Sequence, residues 1–434
     1  MPSVAIATLG CKVNQTESER MLVQLARIGF KTVAFDERAD VYVVNSCTVT
    51  SEADHKSRKL ARRALKANPS ATVVLTGCYA ADAKDEGALP AGVHLLEAGR
   101  KDELGRFLAK IFGSGSEPAM PPVRARARAM IKIQDGCDNF CSYCIVPHAR
   151  GGPRSRRAAE VIDEVAGLGR EGVREIVLTG INLGRYRDER TDLVELLRLV
   201  IAAFPGRVRL SSIEPPDVGD GLVGLLSSEE SLCPHLHVPL QSGCDSVLES
   251  MGRNYDARYF GRMVERLRAA RPEIAITTDV ICGFPGESDE QARETLRFLE
   301  GLAPAKLHVF KYSSRPHTSA AKLSDQVAPD LKSERARELG ALDRSLGEAF
   351  AERQVGRTFD ILVETAGEEG VFGLSDNYVR CVCEGDKARK GTIVKVVGVR
   401  RRGRAVETRI VQGQRRSAVE GVGAAARGRG GADG

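Results

Sequence analysis

The sequence predicts an α/β protein in three parts: an N-terminal parallel α/β domain (residues 1–112), a central partial (β/α)6 barrel (126–352) and a small all-β barrel (353–413). Three observations predict it. Short apolar runs alternate with amphipathic stretches through the first 112 residues, the same alternation recurs about six times through the centre, and β-branched runs split by Gly and Asp turns fill the last part. Residues 113–125, rich in Gly, Ser and Pro, read as a linker. Residues 414–434, rich in Gly, Ala and Arg, read as a disordered tail.

In the first part, residues 4–8, 41–45 and 72–76 read as buried strands. Residues 17–29 and 53–67 read as helices, with Gly29 as a C-cap and Pro69 following the second. In the centre, strands are expected at 130–134, 175–179, 207–213, 235–240, 275–281 and 306–312. Helical patterns lie between them at 158–168, 192–204, 257–270 and 289–302. Chemistry in such sheets sits at the C-terminal ends of the strands. Residues 331–351 read as a charged connecting helix, and 358–363, 371–374, 378–382, 391–399 and 405–410 as the five strands of an OB-like barrel.

The 434 residues are 42% apolar and 28% charged, ordinary values for a globular protein. No apolar run approaches the ~18 residues of a membrane helix, and the N-terminus has no secretory pattern, so a cytoplasmic location is expected. Eleven cysteines, an odd number, then point to metal or thiol chemistry rather than disulfides. The net charge of +6 is unevenly placed: residues 1–352 hold 48 basic and 48 acidic side chains, whereas 353–413 hold 12 and 8. That excess is either a footprint for a polyanion or a solvated basic surface.

The sharpest motif is Cys137-x3-Cys141-x2-Cys144, just after the first central strand. Three thiolates this close can wrap one face of an iron–sulfur cube and leave the fourth iron open to an amino-carboxylate ligand. The alternative is a structural zinc site completed by His148. A second set is dispersed: Cys11, Cys47 and Cys78 each follow a predicted strand. In a parallel sheet those ends share one edge, where the three can converge on a second cluster; buried packing cysteines are the alternative. Gly10 and Gly77 would let the backbone approach a bulky ligand. His235 and His237 share a strand face, either as a metal pair or as barrel-lining side chains. Cys233, Cys244, Cys282, Cys381 and Cys383 read as packing residues.

The Cys-x3-Cys-x2-Cys spacing at the head of six βα units resembles the radical S-adenosylmethionine enzymes. The run from Ile145 to Gly151, with Gly10-Cys11-x-x-Asn14, Asn45-x-Cys47-x-Val49 and Gly77-Cys78, resembles their methylthiotransferase branch. The C-terminal barrel resembles that family's TRAM domain. The wording Gly10-Cys11-Lys12-Val13-Asn14-Gln15 is most similar to members that act on N6-threonylcarbamoyladenosine at position 37 of tRNA. The isopentenyladenosine branch more often has Gln-Met in place of Lys12-Val13. Acting on isopentenyladenosine or on a ribosomal-protein aspartate is the alternative, and a non-catalytic iron–sulfur RNA-binding protein is a third.

The resemblance implies two [4Fe–4S] clusters, one on Cys137, Cys141 and Cys144 and one on Cys11, Cys47 and Cys78. S-adenosylmethionine at the first cluster would yield a 5′-deoxyadenosyl radical that takes hydrogen from carbon 2 of the base; the second would supply a methylated sulfur. Gly180, Asn182, Glu214 and Arg150 are expected at the cofactor, and the Gly283–Glu287 turn beside it. Arg400, Arg401, Arg402 and Arg404 are expected on tRNA phosphates. The expected partners are a tRNA anticodon stem-loop and an electron donor such as flavodoxin or ferredoxin, with no membrane and no DNA.

Overall fold

The computed structural model describes residues 1–80, 83, 89–113, 127–368, 370–384 and 388–411. Residues 114–125 of the expected linker and the expected tail lie outside the described residues. The N-terminal sheet is wholly parallel, in the order Lys31–Thr32, Ser3–Thr8, Val41–Ser46, Thr72–Gly77, Val93–Glu97. Every residue of Val41–Ser46 is buried, as a central strand covered by helices on both faces requires. Two short edge strands escape the sequence pattern, because Lys31–Thr32 spans two residues and Val93–Glu97 is half exposed. The first helix, Lys12–Arg27, starts five residues earlier than its apolar period suggests. Its first two turns hold buried Asn14, Thr16, Glu17 and Ser18, so function rather than hydrophobicity sets that end. The second helix, Ser51–Ala67, is capped by Thr50, whose side chain accepts from the Ala53 N–H.

The central domain has six parallel strands in two groups. Arg207–Leu210, Glu175–Thr179 and Ala129–Lys132 pair in that order, as do His235–His237, Ala275–Cys282 and Lys306–Lys311. Bridges at Val208–Leu232 and Ser212–His237 join the groups into one curved sheet, the expected partial barrel. Ile131, Ile176, Leu178, Val208, Leu210, Leu236 and Val280 point outward into the core beneath the helices. Strand alternation therefore turns Met130, Val177, Arg209, His235, His237 and Asp279 into the lumen.

The long helix Pro329–Glu352 leads to a closed five-stranded barrel in the order Thr358–Gly367, Gly370–Ser375, Arg380–Glu384, Ala405–Ile410, Ile393–Arg402. Cys381 and Cys383 lie in its core. The barrel is fastened to the central sheet by buried arginines. Arg207 donates to Asp360 O (3.2 Å) and Leu374 O (2.8 Å), and Arg209 to Asp376 O (2.7 Å) and Ser375 O (3.1 Å). Both also grip the buried Glu175, at 2.5 and 3.0 Å. Tyr378 stacks on His235 with ring centroids 4.4 Å apart. Among the described residues no helix is long and apolar enough to cross a membrane.

Candidate active site

All eleven cysteines are free. In the N-terminal domain, register aligns Thr8 with Asn45 and Ser46 with Gly77, so Cys11, Cys47 and Cys78 follow strands that end level on one edge. Asn14 and Asn45 build this edge. The Asn14 amide donates to Leu9 O (2.7 Å) and Ser46 O (2.8 Å), tying the Cys11 loop to the residue before Cys47. The Asn45 amide donates to Asn14 O (2.8 Å) and Ser18 Oγ (2.9 Å). Gly10 has φ +93°, and a Cβ there would stand 2.9 Å from Cys47 Sγ; its glycine clears space for that sulfur. Burial raises the Cys47 thiol to about 11. Burial also raises that of Cys78, opposed by the Arg150 guanidinium. Cluster ligands bind as thiolates, so loading this edge releases protons.

The loop of Cys137, Cys141 and Cys144 lies across the C-terminal end of the first central strand. Gly136 has φ +74° and runs against the Gly151–Gly152 backbone, where any Cβ would collide at 2.0 Å. The Cys137 N–H donates to Gly151 O (3.0 Å). Asn182 Nδ2 lies 3.7 Å from Cys137 Sγ, while its Oδ1 is buried with no hydrogen-bond partner. Gln134 joins this loop to the neighbouring strand end: its Oε1 accepts from the Asn182 N–H (2.8 Å) and its amide donates to Gly136 O (2.8 Å). Gly180 packs on the Gln134 side chain, which a Cβ would approach to 3.0 Å. Arg253 donates to Cys141 Sγ (3.1 Å) and pairs with Glu214, whose carboxyl burial pushes upward against that guanidinium. Burial raises Cys144 to about 12.

Each set offers three free thiol sulfurs, the donor type that iron–sulfur clusters take. Among the described residues no three His, Cys, Asp or Glu side chains stand together around one metal ion. A cube, by contrast, binds each thiolate to a different iron. His148 meets the rings of Phe140 and His317 instead of completing a Cys3His site. His235 and His237 form no metal pair either. His235 stacks on Tyr378, and His237 Nε2 faces Asp279 (3.2 Å).

Two arginines of the central domain clasp the N-terminal cysteine edge. Arg150 was expected at S-adenosylmethionine; the structure places its side chain, 1% exposed, on carboxylates at the N-terminal cysteine edge. It donates to Cys78 Sγ (3.1 Å), Glu17 (3.1 Å), Asp135 (2.8 Å) and Asn14. Lys132 pairs with Glu17 (2.6 Å) and Asp135 (2.7 Å), and Lys101 also pairs with Glu17. Arg315 donates to Thr48 (2.8 Å), beside Cys47, and pairs with Asp54. The Gly283–Glu287 turn is held by its own chemistry, with the Gly283 N–H on Glu287, which pairs with Arg335 (2.8 Å).

The expected tRNA arginines divide into two kinds. Arg400 and Arg402 are largely exposed, on Glu407 and Glu384. Arg401 pairs with Glu348 (3.2 Å) and Glu352 (3.0 Å), and Arg404 with Asp343 (2.6 Å), so these two fasten the barrel to the long helix. A basic surface absent from the charge totals lies on Ser51–Ala67, which begins just after Cys47. Lys59, Arg62, Arg63 and Lys66 are exposed there, and none meets a carboxylate among the described residues.

A cavity of about 440 Å³ lies where all three domains meet, lined by Lys12 and Gln15 from the first, Arg128 and Arg209 from the second, and Glu364 and Tyr378 from the third. Lys12 adjoins Cys11 and lies 5.8 Å from the Tyr378 ring centroid. Burial, then Arg209 and Arg128, lower its ammonium to about 8.

Comparison with known proteins agrees with this geometry. Residues 3–93 match the Uncharacterized protein family UPF0004 and residues 131–299 the Radical SAM superfamily. The radical S-adenosylmethionine methyltransferase TsrM from Kitasatospora setae shares the fold over 74% of this chain and 75% of its own, with a TM-score of 0.53 and 17% identity. Fold and cysteine loop together define a radical S-adenosylmethionine enzyme. The threonylcarbamoyladenosine tRNA methylthiotransferase MtaB of Bacillus subtilis is 38% identical over 91% of this chain and 93% of its own length. That of Thermotoga maritima is 39% identical over 87% and 90%. The tRNA-2-methylthio-N(6)-dimethylallyladenosine synthase of Pelobacter propionicus is 34% identical over 90% and 94%. The chain belongs to the radical S-adenosylmethionine methylthiotransferase family, a family of transferases that use S-adenosylmethionine and two [4Fe–4S] clusters.

Proposed function

We propose that this protein inserts a methylthio group at carbon 2 of N6-threonylcarbamoyladenosine 37 in tRNA. The observation that carries the proposal is the clasp between two cysteine sets: Arg150, six residues beyond Cys144, reaches Cys78 Sγ at 3.1 Å. The two sets therefore stand at one domain junction, beside a cavity large enough for a modified base. Cys137, Cys141 and Cys144 would hold one [4Fe–4S] cluster, and Cys11, Cys47 and Cys78 the other. With S-adenosylmethionine and an electron from a flavodoxin- or ferredoxin-like donor, these groups supply radical hydrogen abstraction at an unactivated carbon and a sulfur to replace that hydrogen.

The chain's own residues do the rest. Asn182 and Gln134 fix the Cys137 loop against the neighbouring strand end. Arg253 places a cation beside Cys141 and orients Glu214. Asn14, Asn45, Arg150 and Arg315 hold the second cysteine edge rigidly against the first domain's neighbour. The phosphate backbone would lie along Lys59, Arg62, Arg63 and Lys66 and reach Arg400 and Arg402 on the barrel. The test is Cys47→Ala, reconstituted anaerobically with reductant, S-adenosylmethionine and tRNA. Formation of 5′-deoxyadenosine is expected to persist while 2-methylthio product disappears. Full methylthiolation by this variant overturns the two-cluster proposal.

A further inference from the structure

The cavity at the domain junction carries a charge pattern that selects its occupant. Arg209 is consumed by Glu175 (3.0 Å) and by the barrel carbonyls of Ser375 and Asp376 (3.1 and 2.7 Å). Arg128 is consumed by Glu364 and Glu175. Among the described residues, Lys12 is the one cation lining the cavity with no carboxylate in ion-pair range, and its contact there is the face of Tyr378. An ammonium close to other cations and with no carboxylate in contact is costly unless a ligand supplies one.

We infer that Lys12 is the specificity-determining residue for the substrate base, its ammonium receiving the carboxylate of an acidic N6 substituent inside this cavity. The inference rests on the proposed methylthiolation of threonylcarbamoyladenosine and deepens it. Threonine joined to the base through its nitrogen keeps its carboxylate free. On an adenine ring, carbon 2 and carbon 6 flank the same nitrogen, so a group on N6 lies within a few ångströms of the carbon that reacts. The residue that reads the substituent must therefore adjoin the sulfur-bearing edge, and Lys12 follows Cys11 directly. A dimethylallyl group would leave the ammonium desolvated and unpaired, so the same side chain rejects the apolar alternative.

The test uses reconstituted holoenzyme and three anticodon stem-loop RNAs, carrying threonylcarbamoyladenosine, its carboxyl methyl ester, or dimethylallyladenosine. Dissociation constants come from fluorescence anisotropy and products from mass spectrometry. The wild type is expected to bind the acid roughly tenfold more tightly than the ester, as a charge-assisted contact implies. Lys12→Met is expected to bring that ratio to about one, and Lys12→Arg to keep most of it. Equal binding of acid and ester by the wild type, or a full ratio in Lys12→Met, overturns the inference while leaving the methylthiolation proposal standing. A wild type that methylthiolates the dimethylallyl RNA but not the acid overturns the substrate proposal and this inference together.

Discussion

Replacing Arg150 with methionine tests whether the two cysteine-bearing domains are clasped electrostatically. The guanidinium is buried and donates to Glu17, Asp135, Asn14 and Cys78. Breaking a buried ion pair by removing one partner costs roughly 3–5 kcal/mol, because the other charge stays desolvated. Here the loss is moderated. Glu17 keeps Lys101 and Lys132, and Asp135 keeps Lys132, so two carboxylates still face two ammonium groups. That places the expected cost near the lower limit, about 3 kcal/mol. Denaturant unfolding of the reconstituted protein reads it. A Glu17→Leu partner completes a double-mutant cycle, with coupling of about 1–3 kcal/mol expected for groups in direct contact. A loss below about 1 kcal/mol, or purely additive effects, refutes the clasp.

Three further outcomes are expected. Gly10→Ala puts a methyl group 2.9 Å from Cys47 Sγ at φ +93°, so iron per chain should fall by about half while 5′-deoxyadenosine formation continues; unchanged iron content contradicts the cradle. Changing Lys59, Arg62, Arg63 and Lys66 together to glutamine should weaken tRNA binding and lower its salt slope by roughly one for each phosphate no longer neutralised, and an unchanged slope moves the RNA path elsewhere. Burial pushes the Glu175 carboxyl up, but Arg209, Arg207 and Arg128 outweigh it and hold it down to about 2. Because the folded value lies below the unfolded one, this contribution, on the order of 3 kcal/mol, is complete above about pH 4.5 and disappears as pH falls towards 2. Glu175→Gln should therefore flatten stability against pH in that window.

The cysteine sites were legible for two different reasons. Cys137, Cys141 and Cys144 lie within eight residues, so spacing alone describes their loop. Cys11, Cys47 and Cys78 are far apart in sequence, and only parallel strands ending level bring them together. What holds the sites was not legible. Gln134, Arg253 and Arg315 reach the cysteine loops from strands and turns with no motif of their own. Arg150 was singled out, but a sequence does not say which carboxylate an arginine meets, and Glu17, 133 positions earlier, claims it. Whole-domain charge arithmetic likewise concealed the basic face of Ser51–Ala67, because acidic side chains elsewhere cancel it in any sum.

The fastening of the small barrel gives it a role beyond grip. Arg207 and Arg209 lock its Leu374–Asp376 segment to the central sheet, and Tyr378 plugs one side of the lumen against His235. These buried bonds tie the barrel's position to that of the central sheet. On the proposed RNA path it would act as a fixed ruler: whatever part of a tRNA rested on it would stand at a set distance from the sulfur-bearing edge, and only a base at that distance along the RNA would reach the cavity. Positional choice along the RNA would then be measured by the joint between two domains rather than read from the letters around the target.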